Sequence, residues 1–148
     1  MKPLVGLATA QLALGLVGLG HALRHRSSYD IGIMHGSPEL IGREQWVTGT
    51  GLSAPGVMLV AQGAAVALHH RDEQRAARTL GLLGLIMSLG YPGEKVVRRA
   101  WRYPDRFVAP LTAAATALSV AMAVLGLGAG HSPQVSHDVH DLAGSAAA

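Results

Sequence analysis

An apolar stretch near the start of the chain decides the fold: residues 3–23 read PLVGLATAQLALGLVGLGHAL. A helix that crosses a bilayer needs about 20 apolar residues, and this stretch meets that length with only Gln11 and His21 as strongly polar side chains. Polar segments rich in arginine separate three further apolar stretches, which are residues 52–68, 76–91 and 107–129. The sequence therefore predicts an all-α, polytopic membrane protein in which residues 1–130 form a bundle of four transmembrane helices.

Two of these assignments have alternatives. In the third stretch the uninterrupted apolar part is only 79–91, roughly 20 Å of helix, so a re-entrant or surface helix is the alternative to a full crossing. The first stretch could be a cleaved signal peptide, because Lys2 precedes it and residues 20–22 form a small-x-small site. We favour a retained span, since the stretch is longer than the apolar core of a normal signal peptide.

The composition fits a membrane bundle and excludes several kinds of site. Hydrophobic residues make up 49% of the chain, its mean hydropathy is +0.30, and charged residues are 14%, against about 25% in soluble domains. The chain has no cysteine, which excludes disulfides, thiolate metal sites and thiol nucleophiles. We expect no cofactor. Because the basic residues lie between apolar stretches, we assign them to topology and anionic lipid rather than to nucleic acid.

The distribution of basic residues predicts the orientation. The termini and the 71–78 loop share one side of the predicted bundle, and that side holds Lys2, Arg71, Arg75 and Arg78. The other side holds Arg24, Arg26, Arg43, Lys95, Arg98, Arg99, Arg102 and Arg106. Since cytoplasmic loops carry the excess of lysine and arginine, we expect the second side to be cytoplasmic. Both termini would then be extracytoplasmic in a multi-pass plasma-membrane protein.

Two glutamines, Gln11 and Gln62, are predicted to meet inside the bundle. Their helices would run antiparallel, which places both side chains roughly 10 Å below the outer surface. A hydrogen bond between them would contribute about 0.6–2 kcal/mol, so we interpret the pair as structural, with a polar substrate path as the alternative. No Asp, Glu, Lys or Arg lies centrally in a predicted span. This argues against proton-coupled transport and leaves a passive channel or carrier as an alternative.

The predicted cytoplasmic side also gathers candidate groups for chemistry. The 27–51 segment is longer than most compact connections, and long loops are often functional. A histidine near a carboxylate could act as a general acid or base on an apolar substrate, although no nucleophile motif accompanies it. The candidate residues are His21, His35, Glu39, Glu44, Tyr91 and Glu94.

A basic segment at 95–106 is predicted to form a short amphipathic helix at the membrane surface. Its cations recur with helical spacing, and apolar residues occupy much of the remainder. Such segments are attracted to anionic lipid, and setting the topology is the alternative role. The predicted lipid-binding residues are Lys95, Arg98, Arg99, Trp101, Arg102 and Arg106.

Residues 131–148 are predicted to form a disordered, polar, low-complexity tail. Its histidines, His131, His137 and His140, are candidate ligands for loose binding of a transition metal, although we expect no metal site. Haem ligation is disfavoured because no two histidines face each other within the predicted spans.

The favoured function is a non-enzymatic membrane bundle that binds a partner protein, a second copy of itself or lipid. The first alternative is a membrane-embedded enzyme or a binder of an apolar small molecule, with its site at the cytoplasmic interface. A passive channel or carrier is the second alternative. No motif in the sequence chooses among them.

Overall fold

The computed structural model describes residues 1–25, 30–31, 34–35, 40–50, 52–103 and 105–129, and these are predominantly helical, as the sequence predicted. The helices in this part of the chain are α1 (Lys2–His25), α2 (Ile41–Glu44), α3 (Gly56–Leu68), α4 (Glu73–Gly93), α5 (Lys95–Arg102) and α6 (Val108–Ala129). Two short strands, β1 (Asp30–Ile31) and β2 (Met34–His35), pair antiparallel between α1 and α2. The predicted tail, 131–148, lies outside the described residues.

The four longer helices α1, α3, α4 and α6 pack side by side as a bundle. α4 packs most extensively on α6, while α1 contacts both α6 and α3, and α3 completes the ring against α4. One buried cluster joins Leu4 of α1, Leu80 of α4 and Met122 of α6. The short helix α5 lies across the end of the bundle, where it contacts α4 and α6.

Two of the helices, α1 and α6, are long and apolar enough to cross a membrane. α3 is apolar but has only 13 residues, about 20 Å of helix. It begins at Gly56 rather than at residue 52, because residues 52–55 form a turn beneath α1 in which the Leu52 carbonyl lies against Gly18. The second predicted span is therefore shorter than expected, and the four-span arrangement stays a prediction.

α4 is longer than the predicted third span. It has 21 residues and begins after Asp72, whose carboxylate accepts a hydrogen bond from the Arg75 backbone N–H at 2.9 Å. An acidic N-cap satisfies a backbone donor that the helix leaves free, and it also opposes the helix dipole. This cap extends α4 through polar residues that precede the apolar stretch.

Glycine allows α4 and α6 to approach closely. A Cβ added at Gly84 would lie 2.6 Å from the Ser119 carbonyl oxygen and 2.7 Å from the Ala123 backbone nitrogen. Real Cβ atoms essentially never come that close to backbone. Helices that associate in lipid use small residues in this way, because close packing replaces the hydrophobic driving force that operates in water.

The bundle has a partly polar interior and an apolar exterior. Gln11, Gln62, Thr112 and Ser119 are all fully buried. All four bundle helices expose large apolar side chains, among them Leu16, Val17, Val57, Val60, Leu82, Leu89, Val120 and Val124. This arrangement is the reverse of the usual water-soluble pattern.

Candidate functional site

A cleft of about 190 Å³ opens where the end of α4 meets the start of α3. Its inner wall is apolar, formed by Met58 of α3 with Ile86 and Met87 of α4. Its polar groups are Tyr91 and Glu94 together with Thr48, Thr50 and Ser53. A cleft with apolar walls and a few convergent polar groups is the usual form of a small-molecule site.

The sequence at the end of α4 places Glu94 in this cleft. The helix ends at Gly93, and Glu94 takes an extended backbone conformation as the residue shared between α4 and α5. Its N–H donates to the Tyr91 carbonyl at 3.2 Å, and its own carbonyl accepts from Arg98 at 3.0 Å. The chain therefore turns at this residue, and Glu94 is only 5% exposed although it sits between two helices.

The Glu94 carboxylate joins the cleft to the strand pair. Its Oε2 accepts a hydrogen bond from the Asp30 backbone N–H at 2.9 Å, and the Asp30 carboxylate pairs with Lys95 Nζ at 2.9 Å. Burial raises the pKa of Glu94, and the nearby Asp30 charge raises it further, while the Asp30 N–H and the Arg98 guanidinium act in the opposite direction. The group can therefore hold a proton at a higher pH than an exposed glutamate does.

Tyr91 forms the wall between the cleft and the centre of the bundle. Its hydroxyl oxygen accepts a hydrogen bond from Gln11 Nε2 at 3.4 Å. Because Gln11 donates to the oxygen, this contact does not use the hydroxyl proton. Tyr91 and Glu94 thus line the same cleft, one as a hydroxyl group and the other as a carboxylate.

Behind Tyr91, the structure brings Gln11 and Gln62 together. Gln62 Nε2 donates to Gln11 Oε1 at 2.7 Å and to the Ala8 carbonyl at 2.8 Å. Gln11 Nε2 in turn lies 3.1 Å from Met87 Sδ and 3.5 Å from Ser119 Oγ. Gln62 Oε1 has no hydrogen-bond partner among the described residues. The pair thus connects α1 and α3 to the other two bundle helices.

The predicted lipid-binding residues lie on α5 and just after it. Val97 and Ala100 are buried against the bundle, and Trp101 Nε1 donates to Thr112 Oγ1 of α6 at 3.0 Å. The cations occupy the remaining surface, where Lys95, Arg98, Arg99 and Arg102 line one concavity with Tyr103. Arg106 is exposed in the turn before α6.

Other candidate residues do not converge on the cleft. His21 stacks on Phe107, with ring centroids 4.5 Å apart, and contacts His25 at 4.3 Å. His35 pairs with Asp30 through the strands, and the Glu44 carbonyl accepts from Thr48 Oγ1 at 2.7 Å. His21 and Glu44 are thus not among the residues that line the cleft.

The remaining candidates cannot be placed. Glu39, His131, His137 and His140 lie outside the described residues. Within the part of the chain that the structure describes, no group of three or more His, Cys, Asp or Glu side chains could hold a metal ion.

Sequence reasoning missed Asp30 and Thr50 as neighbours of the site. Thr50 forms an isolated antiparallel bridge with Ser53, and the preceding Gly49 has a φ of 82°, a conformation that suits glycine. The Gly-Thr-Gly run at 49–51 is the local signal of this turn. No comparable signal in the sequence identifies Asp30, since its contact with Glu94 spans 64 positions.

Comparison of the chain with protein-family models, curated proteins and solved structures finds no match.

Proposed function

We propose that this chain is a multi-pass membrane protein that binds an uncharged, hydroxyl-bearing apolar molecule in the cleft between α3 and α4. The observation that carries the proposal is that Tyr91 and the Glu94 carboxylate, one of whose oxygens accepts from Asp30, line one cleft beside an apolar wall. This function develops the first alternative of the sequence analysis, a binder of an apolar small molecule with its site at the cytoplasmic interface.

The distribution of apolar surface supports embedding in a membrane. α4 is less apolar overall than α1 and α6, yet its middle part exposes Leu82, Leu85, Ile86 and Leu89. Contiguous apolar surface of this kind marks a membrane or protein interface. A hydrocarbon environment also suits the glutamines and serine in the interior. Lipid does not drive helices together as water does, and the hydrogen bonds of these side chains join the helices instead.

The orientation follows from the charge distribution. α5 places a dense group of cations at one end of the bundle, and the positive-inside rule assigns that end to the cytoplasm. The cleft would then open at the cytoplasmic interface, where an apolar molecule could enter from the adjacent leaflet. Both termini would lie on the other side of the plasma membrane.

The polar groups of the cleft select the ligand chemistry. A hydroxyl group accepts one hydrogen bond and donates another, so it can accept from Tyr91 and donate to the unoccupied Oε1 of Glu94. Lys95 and Arg98 lie near Glu94 and disfavour a cationic ligand. At about 190 Å³ the cleft is smaller than the roughly 300–1,000 Å³ of drug-sized sites, so it would hold the hydroxyl and the first part of a chain.

The ligand can be tested with dodecanol on the purified full chain in detergent, with dodecane and dodecylammonium as matched probes. We expect dodecanol to raise the unfolding temperature most, because a ligand stabilises the state that binds it. Ile86→Trp fills the cleft and should abolish this shift. Leu85→Trp, on the same helix and also exposed, does not line the cleft and should keep it. Equal shifts for dodecanol and dodecane, or equal behaviour of the two variants, would contradict the proposal.

The orientation can be tested separately, because the chain has no cysteine of its own. Single cysteines in place of Arg71 and Tyr103 lie at opposite ends of the bundle, and both positions are exposed. A maleimide that cannot cross membranes should label the first in intact cells and the second only after lysis. Labelling of both positions in intact cells would contradict a membrane-spanning arrangement.

A further inference from the structure

We propose a second binding site, in which one anionic phospholipid of the cytoplasmic leaflet lies in the groove between α5 and α6. Its phosphate would contact the cations of α5, and one acyl chain would run along α6. This site rests on the membrane embedding proposed above, but it does not depend on the ligand of the cleft.

The groove is large and apolar. It encloses about 610 Å³ and is lined on α6 mainly by Ala109, Ala113 and Ala117, with Ala100 and Trp101 closing it from α5. The small side chains recur every fourth residue and so leave a channel along one face of the helix. From 109 to 117 this channel runs about 12 Å along the helix axis, close to the thickness of roughly 15 Å of one leaflet's hydrocarbon.

Trp101 holds the groove open at its α5 end. The indole Nε1 donates to Thr112 Oγ1 at 3.0 Å, which fixes the ring across α6 while the residue stays 42% exposed. Tryptophan favours the boundary between headgroups and acyl chains, because its ring is apolar and its N–H is polar. Its position therefore matches the place where a phospholipid changes from polar to apolar.

The cations of α5 complement an anionic headgroup. A concavity of about 390 Å³ is lined by Lys95, Arg98, Arg99, Arg102 and Tyr103. Lys95 is paired with Asp30, whereas Arg98, Arg99 and Arg102 make no ion pair within the described residues, although Arg98 lies near enough to Glu94 to lower its pKa. Guanidinium groups bind phosphate well because their planar donors match its oxygens in pairs.

The helical spacing brings the cations and the groove together. At about 100° per residue, Arg98 lies about 60° around α5 from Trp101, and Arg102 lies about 100° away on the same side. A phosphate bound by Arg98 and Arg102 would thus have its glycerol beside Trp101, at the mouth of the groove. The Asp105 carboxylate is not among the residues that line the cationic concavity, and its Oδ1 accepts the N–H groups of Phe107 and Val108 at 2.8 and 2.7 Å.

The site can be tested by quenching of Trp101 with brominated lipids. Trp46→Phe leaves Trp101 as the only tryptophan of the full chain. This variant is reconstituted in phosphatidylcholine vesicles that contain increasing fractions of brominated phosphatidylglycerol. We expect quenching at low mole fractions of the brominated phosphatidylglycerol, and much weaker quenching by brominated phosphatidylcholine at the same fractions. Arg98→Gln with Arg102→Gln should weaken the preference for phosphatidylglycerol about 25-fold, since each cation near the surface contributes about fivefold.

Matched variants separate a specific site from simple charge attraction. Ala113→Phe fills the groove, whereas Ala114→Phe places the same ring on an adjacent exposed position outside it. The first change should remove the low-fraction quenching and the second should keep it. Ala117→Phe repeats the test if Ala113→Phe does not fold, as judged by far-UV circular dichroism. Removing the two charges of Lys2 and Arg71, at the other end of the bundle, should leave the quenching by brominated phosphatidylglycerol unchanged.

Two results would overturn the inference. Equal quenching by the two brominated lipids would show that no anionic lipid is preferred. Identical behaviour of the Ala113 and Ala114 variants would show that α5 attracts anionic lipid only by its charge, with no chain in the groove. Because none of these variants lines the cleft between α3 and α4, failure here leaves the dodecanol experiment unaffected.

Discussion

Replacing Gly126 by alanine should destabilise the bundle, whereas the same change at Gly128 should not. Gly126 on α6 faces α4, and an added Cβ would lie 2.6 Å from the Ala77 carbonyl oxygen and from the backbone of Gly81. Ordinary van der Waals contact begins at 3.4 Å, so the two helices would have to separate by roughly 0.8 Å, the difference between these distances. At Gly128 the new Cβ would meet nothing within 4 Å.

Two opposing effects set the magnitude. Overpacking a well-packed contact costs about 1–3 kcal/mol, and replacing glycine by alanine within a helix contributes up to about 1 kcal/mol of stability. The atoms that the Gly126 variant would meet are backbone atoms, which cannot turn aside as a flexible side chain can. Overpacking should therefore win at Gly126, with a net loss of about 1–2 kcal/mol, while Gly128→Ala should gain up to about 1 kcal/mol.

The assay is equilibrium unfolding of both variants in mixed micelles with increasing sodium dodecyl sulfate, followed by far-UV circular dichroism. The two free energies of unfolding should differ by about 1–3 kcal/mol, with the Gly126 variant less stable. The native chain should fall between them. Equal stabilities of the two variants would refute the close approach of α4 and α6 at this position, and a stabilised Gly126 variant would show that the helices have room for a side chain.

Three further changes test the cleft, the interior and α5. Burial raises the pKa of Glu94, so the native chain should lose stability as pH rises from the ordinary glutamate range, near 4.5, through the raised value. Glu94→Gln should remove this dependence of stability on pH, and above the raised pKa the variant should be more stable than the native chain. Parallel profiles of unfolding free energy against pH for the two chains would contradict this. Gln62→Leu should lose about 1–2 kcal/mol, since it removes the bonds to Gln11 and to the Ala8 carbonyl but also an unpaired buried oxygen; a loss above about 3 kcal/mol in the unfolding assay would contradict this. Trp101→Phe should lose about 0.5–1.5 kcal/mol by removing the bond to Thr112, and no change in the same assay would show that this bond does not hold α5 to the bundle.

The helical class could be predicted because it depends on local pattern. A run of apolar residues with no charge identifies a helix of membrane length without any knowledge of its neighbours. α1 and α6 match their predicted stretches to within two residues at each end. The same pattern failed at residues 52–55, where the apolar sequence continues but the chain turns, because Pro55 and the contact of Leu52 with Gly18 fix a different conformation. Apolar content alone does not report where a helix begins.

The cleft could be predicted only in part. Tyr91 and Glu94 were candidates because they follow an apolar stretch and precede a basic one. Glu94 contacts Asp30, and Tyr91 lies beside Ala54. Both contacts join residues that are far apart in the sequence, so periodicity does not reveal them. His21, like Glu94, is an ionisable residue at the end of an apolar stretch, but its ring stacks on Phe107. Convergence of side chains is a property of the packed bundle and not of spacing along the chain.

The two proposed sites have a common physical origin in the short sequence Pro92-Gly93-Glu94. Proline and glycine end α4 at Gly93, and the extended conformation of Glu94 lets α5 begin immediately in a new direction. The same turn directs the Glu94 side chain into the cleft and leaves the opposite face of α5 to its cations. A continuous helix through this point would carry the cations along the axis of α4 and remove the polar end of the cleft. The helix break is therefore what places a hydrogen-bonding pocket and a cationic surface at the same end of the bundle.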